Sequence, residues 1–492
     1  MSKEKTLSEI IADYTLRTDY KDIPDWVADR TKSYILDFIG CALLGSTSKP
    51  AKILSDISYE TGEREESVVI GNNRKTSCIN APMINATSGD ANDFGDEHHT
   101  TGAHIGVVIV PTALAMAERE GADGKSLITS IAIGYEVLTR VCEAFVGGLY
   151  KQGFHPTTIG GVFAAAVTAG KIMGLNKKGL MNSLGIAGTQ AFGCGFKEGW
   201  NKRMHVGMAA RIGVLSALMG QRNYEASTPG EIIEKALDMY SGRYRELVDP
   251  TQITGNKDRG KLGEEWRGML TSWKPWPSCR FLHIYIKLAL DMVEKHSLKP
   301  NDIEWVHTKE NQTFHFMHET GLSTYERIMS PRDPIDAQFS IPWTVATAII
   351  KKNISLYDYF TEEGLRNPDV LEFLHKVTGE VDPDHEAAYP WEWLVTVIIK
   401  TKDGREFTET SMEWPGNPIW MPKYKDNPGL FIEDIETKFM DTTSKLEPYP
   451  NKNNEIVKTV KNLDKLDHVT KLTEMLRTRP QPEKPLFYHV DI

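Results

Sequence analysis

Helical periodicity over the first half of the chain constrains the fold more than any other feature. After Ser126, apolar residues recur three and four positions apart, at Leu127, Ile128, Ile131, Tyr135, Leu138, Val141 and Cys142. This spacing places apolar side chains on one face of a helix. Residues 157–173 and 206–219 follow the same logic but are rich in Gly and Ala, whose small side chains let helix axes approach closely. From about residue 5 to residue 225 the sequence therefore predicts a packed, all-helical core.

The pattern changes after Trp266, where β-branched and aromatic residues become frequent. Residues 273–277, Trp-Lys-Pro-Trp-Pro, are stiff and cannot form the interior of a helix. Strands are predicted at 303–308, 393–401 and 405–412, and helices at 282–293 and 341–350. The dipeptide Asp403-Gly404 between the last two strands is a strong hairpin signal. Beyond Pro428 the helical periodicity returns.

We therefore expect a mainly α fold in two parts. A large helical domain is predicted from residues 1–268 and 416–492, and a smaller α+β domain from residues 269–415. A chain of 492 residues buries enough surface to fold without disulfides or metals. Its five cysteines are dispersed, which is not typical of a disulfide framework.

The charge balance excludes several classes of partner. The chain has 57 Lys and Arg against 67 Asp and Glu, a net charge of −10, with no block of basic residues. Such a chain is a poor ligand for nucleic acid or for an anionic membrane surface. No run approaches the roughly 18 apolar residues of a membrane span, and the N-terminus lacks the apolar stretch of a signal peptide. We expect a cytoplasmic protein without nucleic-acid or membrane partners.

The densest group of ionisable residues lies at positions 92–104, just before an apolar helix that begins near Ile105. It contains Asp93, Asp96, Glu97, His98, His99 and His104. One interpretation is an acid–base site for an anionic substrate, because free N–H groups at a helix start favour anions. A rival interpretation is a divalent metal site made from Asp93, Asp96, His99 and His104. A third interpretation is helix capping within a solvated loop, and the three remain open at this point.

Two further clusters contain histidine. His155 precedes Pro156, which predicts extended backbone at a helix entrance. Lys202, Arg203 and His205 lead into another Gly- and Ala-rich helix, and a segment of this kind is usually a solvated loop. Neither cluster by itself indicates catalysis.

A fourth cluster lies at the predicted domain boundary. Lys274 and Arg280 flank the rigid Pro-Trp-Pro segment, which suits a clamp for carboxylates. Domain boundaries are also where ligand clefts form. The sequence has no serine-hydrolase elbow, no P-loop and no dinucleotide-binding glycine motif.

Five motifs in order make the chain resemble a known family. They are Asp93-Phe94-Gly95-Asp96 with His104, Gly153-Phe154-His155-Pro156, the Lys202–Gly207 segment, Pro277-Ser278-Cys279-Arg280-Phe281 and the Asp336–Pro342 segment. Together they resemble the MmgE/PrpD family, which includes 2-methylcitrate dehydratase, cis-aconitate decarboxylase and iminodisuccinate epimerase. The resemblance implies a large helical domain with a smaller α+β lid domain. It also implies a homodimer that needs no metal and no organic cofactor.

The resemblance implies roles for particular residues. The catalytic residues it places on this chain are His104, Asp93, His155 and Lys202. Lys274 is implied as a substrate-binding residue, and we expect the same role for Arg280, Glu97, His205 and Trp343. Three positions depart from the common family pattern, namely Gly95, Ile105 and Trp343.

These residue types suit one class of chemistry. Dehydration and decarboxylation of a di- or tricarboxylate both develop enolate-like charge, which lysines stabilise and histidines protonate. We expect a cofactor-independent lyase, with 2-methylcitrate-type dehydration preferred to cis-aconitate-type decarboxylation. The alternatives are an epimerase of an iminodisuccinate-like dicarboxylate and a non-catalytic carboxylate-binding protein. Lys202 and Lys274 are expected to bind the same small polycarboxylate.

Overall fold

The chain forms two compact units. The computed structural model describes residues 5–62, 64–194, 199–257, 260–318 and 325–488. The first unit comprises Met1–Trp273 and Pro428–Glu483, and the second comprises Lys274–Asn427 with a short segment that begins at Lys484. The sequence places these boundaries near residues 268 and 415. The mainly α fold class is confirmed.

Twelve helices of the first unit precede the second unit within the described residues. They are α1 (Leu7–Arg17), α2 (Asp25–Gly45), α3 (Lys49–Glu60), α4 (Asn80–Asp90), α5 (Gly106–Glu120), α6 (Gly124–Glu143), α7 (Gly148–Lys151), α8 (Pro156–Ile172), α9 (Lys177–Gly188), α10 (Asn201–Gln221), α11 (Ile232–Ser241) and α12 (Thr251–Thr254). Two short strands, β1 (Ser67–Val68) and β2 (Lys75–Thr76), pair antiparallel.

The centre of this unit is a bundle in which α8 packs against α5, α6, α9 and α10, and α10 also packs against α4. Helix α8 is buried from Pro156 to Gly170, as expected for a helix that is apolar on every face. Small residues are required where α8 and α10 meet. A Cβ atom on Gly213 of α10 would lie 2.2 Å from Cβ of Ala165 on α8. The close approach therefore depends on the glycine.

Local signals explain where the helices begin. The Asp123 side chain accepts a hydrogen bond of 2.8 Å from the Ser126 N–H and caps α6. His155 is extended, with φ −85° and ψ 105°, and Pro156 is the first residue of α8. A proline at this position lacks only an N–H group that a helix leaves unbonded in its first turn.

The second unit is a four-stranded sheet with helices. Its helices are α13 (His283–Lys295), α14 (Gln312–His315), α15 (Tyr325–Met329), α16 (Pro334–Gln338), α17 (Ile341–Lys351), α18 (Leu356–Phe360), α19 (Glu362–Leu365), α20 (Pro368–Phe373), α21 (Pro383–Ala388) and α22 (Pro422–Asp426). Its strands are β3 (Ile303–Glu310), β4 (Val377–Val381), β5 (Val395–Thr401) and β6 (Glu406–Ser411), in the order β4-β3-β5-β6. Only the β3–β4 pair of this sheet is parallel.

Three strands of this sheet match the sequence-based prediction, and β4 was missed. Gly404 turns the β5–β6 hairpin with φ +92°. Strand β4 contains Gly379, which weakens the strand signal. A Cβ atom on Gly379 would lie 2.4 Å from Nε2 of His318. Only glycine fits this position without rearrangement. The contact with His318 therefore requires a residue that is unfavourable in a strand, and the sequence around β4 does not indicate one.

The chain returns to the first unit after Asn427. Its last helices are α23 (Gly429–Ser444), α24 (Asn453–Lys461) and α25 (Thr470–Thr473), and strands β7 (Leu446–Glu447) and β8 (Gln481–Pro482) pair antiparallel. Helix α23 packs against α2. Among the described residues, no helix combines the length and the apolar character that crossing a bilayer requires.

The close approach of α8 and α10 predicts an unusual effect of alanine. Gly→Ala within a helix normally stabilises a protein by roughly 0.5–1 kcal/mol. Gly213→Ala should instead lower the free energy of unfolding by about 1–3 kcal/mol, because the added methyl group overpacks the contact with Ala165. Gly179→Ala is the control, because Gly179 also lies within a helix, α9, and its Cβ would meet no atom closer than 3.4 Å. Urea denaturation measures both, and a stabilised Gly213→Ala protein would contradict the packing described.

Candidate active site

The loop between α4 and α5 is buried. It begins after Asp90, the last residue of α4, and His104 lies two residues before α5. The ionisable residues of the loop, together with Asp90 just before it, are between 1% and 7% exposed, and they are Asp90, Asp93, Asp96, Glu97, His98, His99 and His104. The interpretation as a solvated loop is therefore wrong. Because a buried charge is costly unless it is paired, the partners of these side chains indicate what the loop does.

A buried lysine bridges a carboxylate at the end of α4 and a carboxylate of this loop. Nζ of Lys202 lies 2.8 and 2.9 Å from the two carboxylate oxygens of Asp90 and 3.0 Å from Oδ1 of Asp93. Burial acts to lower the pKa of Lys202, but the charges of Asp90 and Asp93 outweigh it and raise the pKa above its usual value. Lys202 belongs to the first turn of α10, so the expectation of a solvated loop at this position is also wrong.

His104 is held at both its backbone and its ring. Its N–H donates to Oγ1 of Thr157 at 2.9 Å, and its Nδ1 lies 3.0 Å from the carbonyl oxygen of Asp96. Because a carbonyl only accepts hydrogen bonds, Nδ1 carries a proton. Nε2 lies 3.4 Å from Oε2 of Glu97 and 3.9 Å from Oδ1 of Asp93. Nδ1 is therefore held by the loop backbone, and Nε2 faces two carboxylates.

A second histidine lies beside the first in a different electrostatic environment. The ring centroids of His104 and His155 are 6.4 Å apart, and those of His155 and His205 are 6.1 Å apart. Burial lowers the pKa of His155 well below its usual value, and the charge of Lys202 adds to the effect. Burial also lowers the pKa of His205. His155 is therefore neutral at physiological pH.

Asp96 anchors the loop. Its Oδ2 accepts a hydrogen bond of 2.5 Å from the Tyr135 hydroxyl, and its Oδ1 accepts one of 2.9 Å from the Gly106 N–H. Burial raises the pKa of Asp96 to about 7, and the nearby charge of Asp37 adds to the effect. A carboxyl group held in this way orients the backbone to which the His104 ring is bonded.

The neighbouring histidines have other surroundings. His98 and His99 stack with ring centroids 4.9 Å apart. Nε2 of His98 lies 3.2 Å from the carbonyl oxygen of Arg267, and burial lowers the pKa of His98 to about 3. The Glu97 backbone pairs in both directions with Ser272, at 2.9 and 3.0 Å. These contacts fix the position of the loop, and Glu97 faces His104.

The predicted metal set is not assembled. Among the described residues, the acidic and histidine side chains that could hold a metal ion are Asp90, Asp93 and His104, whose ligand atoms lie within 4.8 Å of one another. Asp96 and His99, both part of the predicted set, are absent from this group. The ammonium of Lys202 already contacts both carboxylates of the group. The donor set therefore holds a cationic side chain where a metal ion would bind.

Three predicted residues belong to the second unit, and all of them are buried. The Arg280 guanidinium donates to the Pro415 carbonyl oxygen at 2.6 Å and lies over the Trp414 ring. Trp343, on α17, packs against Tyr359 with ring centroids 5.0 Å apart. The contacts of Arg280 and Trp343 are those of core residues. The substrate-binding roles of these two residues and of Lys274, which is fully buried, remain predictions.

Sequence reasoning missed two residues of the site. Asp90 lies three residues before Asp93 at the end of a helix, and its spacing from Asp93 was an available signal. The sequence places Tyr135 on the apolar face of α6, where its ring does pack against Tyr34 at a centroid distance of 4.8 Å. Its hydroxyl bond to Asp96 had no signal in the local pattern.

Comparisons with known proteins cover both units. Residues 9–245 match the MmgE/PrpD N-terminal domain, and residues 276–464 match the MmgE/PrpD C-terminal domain. The cis-aconitate decarboxylase of Aspergillus terreus is 25% identical over 490 residues, which span 94% of this chain and 93% of that protein. The human cis-aconitate decarboxylase is 24% identical over 483 residues, which span 94% of this chain and 92% of that protein. A cis-aconitate decarboxylase-like protein of Aspergillus oryzae is 30% identical over 267 residues, which span 50% of this chain and 53% of that protein.

The raised pKa of Asp96 predicts a pH-dependent stability. Folding raises this pKa from 3.8 to about 7, so the folded state keeps a proton that the unfolded state releases between these values. The free energy of unfolding of the wild-type protein, relative to that of Asp96→Asn, should therefore fall as the pH rises from about 4 to about 7. Above about pH 7 the difference between the two proteins should stay constant. Denaturant unfolding at a series of pH values measures this difference. Parallel curves for the two proteins would contradict the assignment.

Proposed function

Because this chain belongs to the MmgE/PrpD family, we propose that it is a lyase that decarboxylates a di- or tricarboxylate of the cis-aconitate type without a cofactor. One observation carries this proposal. Two buried histidines with opposite electrostatic surroundings, His104 and His155, lie beside the Lys202 ammonium. Sites that move protons commonly hold two titratable groups whose environments separate their pKa values.

The proposed mechanism assigns a role to each group. Lys202 provides positive charge for a substrate carboxylate and for the enolate-like state that forms when CO2 leaves. The carbanion then takes a proton from Nε2 of His104, a ring whose positive charge Glu97 and Asp93 favour. Each turnover consumes one proton, so His104 takes a proton from solvent before the next turnover, and His155 stays neutral beside it. Asp93 orients His104 and Lys202 relative to each other.

Decarboxylation is preferred to dehydration because of the relatives. Relatives from Aspergillus terreus and Homo sapiens that align over most of this chain are named cis-aconitate decarboxylases. Dehydration of a 2-methylcitrate-type hydroxy acid is the second candidate, since the same acid and base would protonate a leaving hydroxyl group. Epimerisation of a dicarboxylate needs the same groups on opposite faces of one carbon. A non-catalytic carboxylate-binding protein is the remaining alternative.

A panel of polycarboxylates, followed by NMR in D2O, tests the proposal. Evolution of CO2 with one deuterium in the product identifies a decarboxylase. Formation of an alkene with loss of water identifies a dehydratase, and exchange of a substrate proton without net conversion identifies an epimerase. Binding without any of these reactions would contradict an enzymatic function. Sedimentation of the purified protein tests the further proposal that it is a homodimer.

Replacing His104 by asparagine should remove catalysis and keep the fold. The amide nitrogen of Asn takes the place of Nδ1 and can still donate to the Asp96 carbonyl, but no group replaces Nε2. We expect kcat of His104→Asn to fall by about 10²–10⁴-fold, measured by steady-state kinetics beside circular dichroism.

His468→Asn is the matched control for this variant. His468 is exposed, and its Nδ1 lies 3.3 Å from the Gly121 carbonyl oxygen. The variant therefore changes a contact between a histidine ring and a carbonyl group, as His104→Asn does, but outside the candidate site. Its kcat should equal that of the wild type. A folded His104→Asn protein with wild-type kcat would remove His104 from the mechanism.

Chelation is expected to leave the activity unchanged. The Lys202 ammonium already supplies the positive charge between Asp90 and Asp93, so the proposed reaction needs no metal ion. Turnover measured before and after dialysis against EDTA checks this expectation. Activity that is lost to EDTA and restored by one divalent ion would instead support metal binding by Asp90, Asp93 and His104.

A further inference from the structure

A lysine of the C-terminal helix α23 contacts the loop that contains Asp93. Nζ of Lys438 donates to the Phe94 carbonyl oxygen at 2.6 Å and lies 3.9 Å from the centroid of the Phe94 ring. The same ammonium lies 2.6 Å from Oδ1 of Asp37 on α2. Lys438 and Asp37 are both buried. The contact joins residues 344 positions apart, and no motif in the sequence indicates it.

The contacted residue follows a backbone position under strain. Asp93 has φ +48°, in the left-handed region that residues other than glycine rarely adopt. Such a conformation persists only where the surrounding structure holds it. The side chain of Asp93 is held by Lys202, and the carbonyl of the next residue is held by Lys438. Two buried ammonium groups therefore fix the two sides of this strained position.

We propose that Lys438 is a positioning residue for the proton-transfer site. By holding the Phe94 carbonyl, it keeps Asp93 in the conformation that directs its carboxylate toward Lys202 and His104. This inference rests on the proposed function for its catalytic consequence, but the geometry of the loop can be tested without activity. Lys438 itself touches no reacting atom.

A purely structural role would be limited to neutralising Asp37. Lys438→Met alone does not separate the two roles, because it leaves a buried carboxylate without this partner, and such a change is strongly destabilising. The double variant Asp37→Leu/Lys438→Met removes both charges with apolar side chains of similar shape, which commonly preserves stability. It still lacks a donor for the Phe94 carbonyl.

The experiment compares this double variant with the wild type in three measurements: thermal unfolding, steady-state kinetics and amide hydrogen exchange of residues 91–97. We expect unfolding close to that of the wild type, faster exchange in this segment, and kcat lower by about 10–100-fold with little change in KM. The single variant Lys438→Arg, in which Asp37 is retained, keeps both the charge and an N–H donor. Its kcat should therefore be close to that of the wild type.

Lys445→Met is the matched control. Lys445 lies directly after the same helix and pairs with Asp441 four residues earlier, and both are far more exposed than Lys438 and Asp37. This variant should show wild-type kcat and wild-type exchange.

The outcomes separate the two proposals. Wild-type exchange and wild-type kcat in a folded double variant would overturn the positioning role of Lys438. A wild-type protein that turns over no polycarboxylate would overturn the proposed function, while the exchange measurement would still decide whether Lys438 holds the loop.

A second double variant keeps the test decisive if the first does not fold. Asp37→Asn/Lys438→Gln then enters the same measurements. The neutral amide that Lys438→Gln introduces is shorter than the lysine side chain, so it weakens the bond to the Phe94 carbonyl. Exchange at residues 91–97 equal to that of the wild type would overturn the proposal.

Discussion

The ammonium of Lys202 lies between the carboxylates of Asp90 and Asp93, away from water. Removing a charge of this kind from water costs several kcal/mol per ion, which only close pairing and hydrogen bonding offset. The group holds two carboxylates and one ammonium. Oδ1 of Asp93 lies 3.9 Å from Nε2 of His104. Burial keeps His155 neutral, and the charge of the same ammonium adds to this effect. The two histidines therefore have different surroundings, and Lys202 contributes to the difference.

The helical packing makes this arrangement possible. Asp90 ends α4, His155 immediately precedes α8, and Lys202 lies in the first turn of α10. These helix ends converge because α10 packs closely against both α4 and α8. Glycines permit that approach, since a Cβ atom on Gly207 of α10 would lie 2.6 Å from the Met83 carbonyl oxygen on α4. Positions more than 100 residues apart thereby reach hydrogen-bond distance.

The elements that local patterns specify were predictable. The repeat of apolar residues predicts α6, the Asp403-Gly404 turn predicts the β5–β6 hairpin, and the histidine before a proline predicts the entrance of α8. The dense acidic and histidine loop also indicates a site. Its burial was not predictable, because a charged segment is usually solvated unless distant residues pair with it. Neither the contact of Lys438 with Phe94 nor the clash that requires Gly379 in β4 leaves a trace in the neighbouring sequence.

Titration of the individual histidine rings tests the division of roles between His104 and His155 most directly. Nitrogen-15 NMR, with signals assigned through asparagine variants at each position, reports both the charge and the tautomer of a ring. We expect His155 to stay neutral between about pH 5 and 8, the range in which an unperturbed histidine changes charge. We also expect Nδ1 of His104 to carry a proton throughout. Titration of His155 near its usual pKa, or a His104 ring without a proton on Nδ1, would contradict the proposed site.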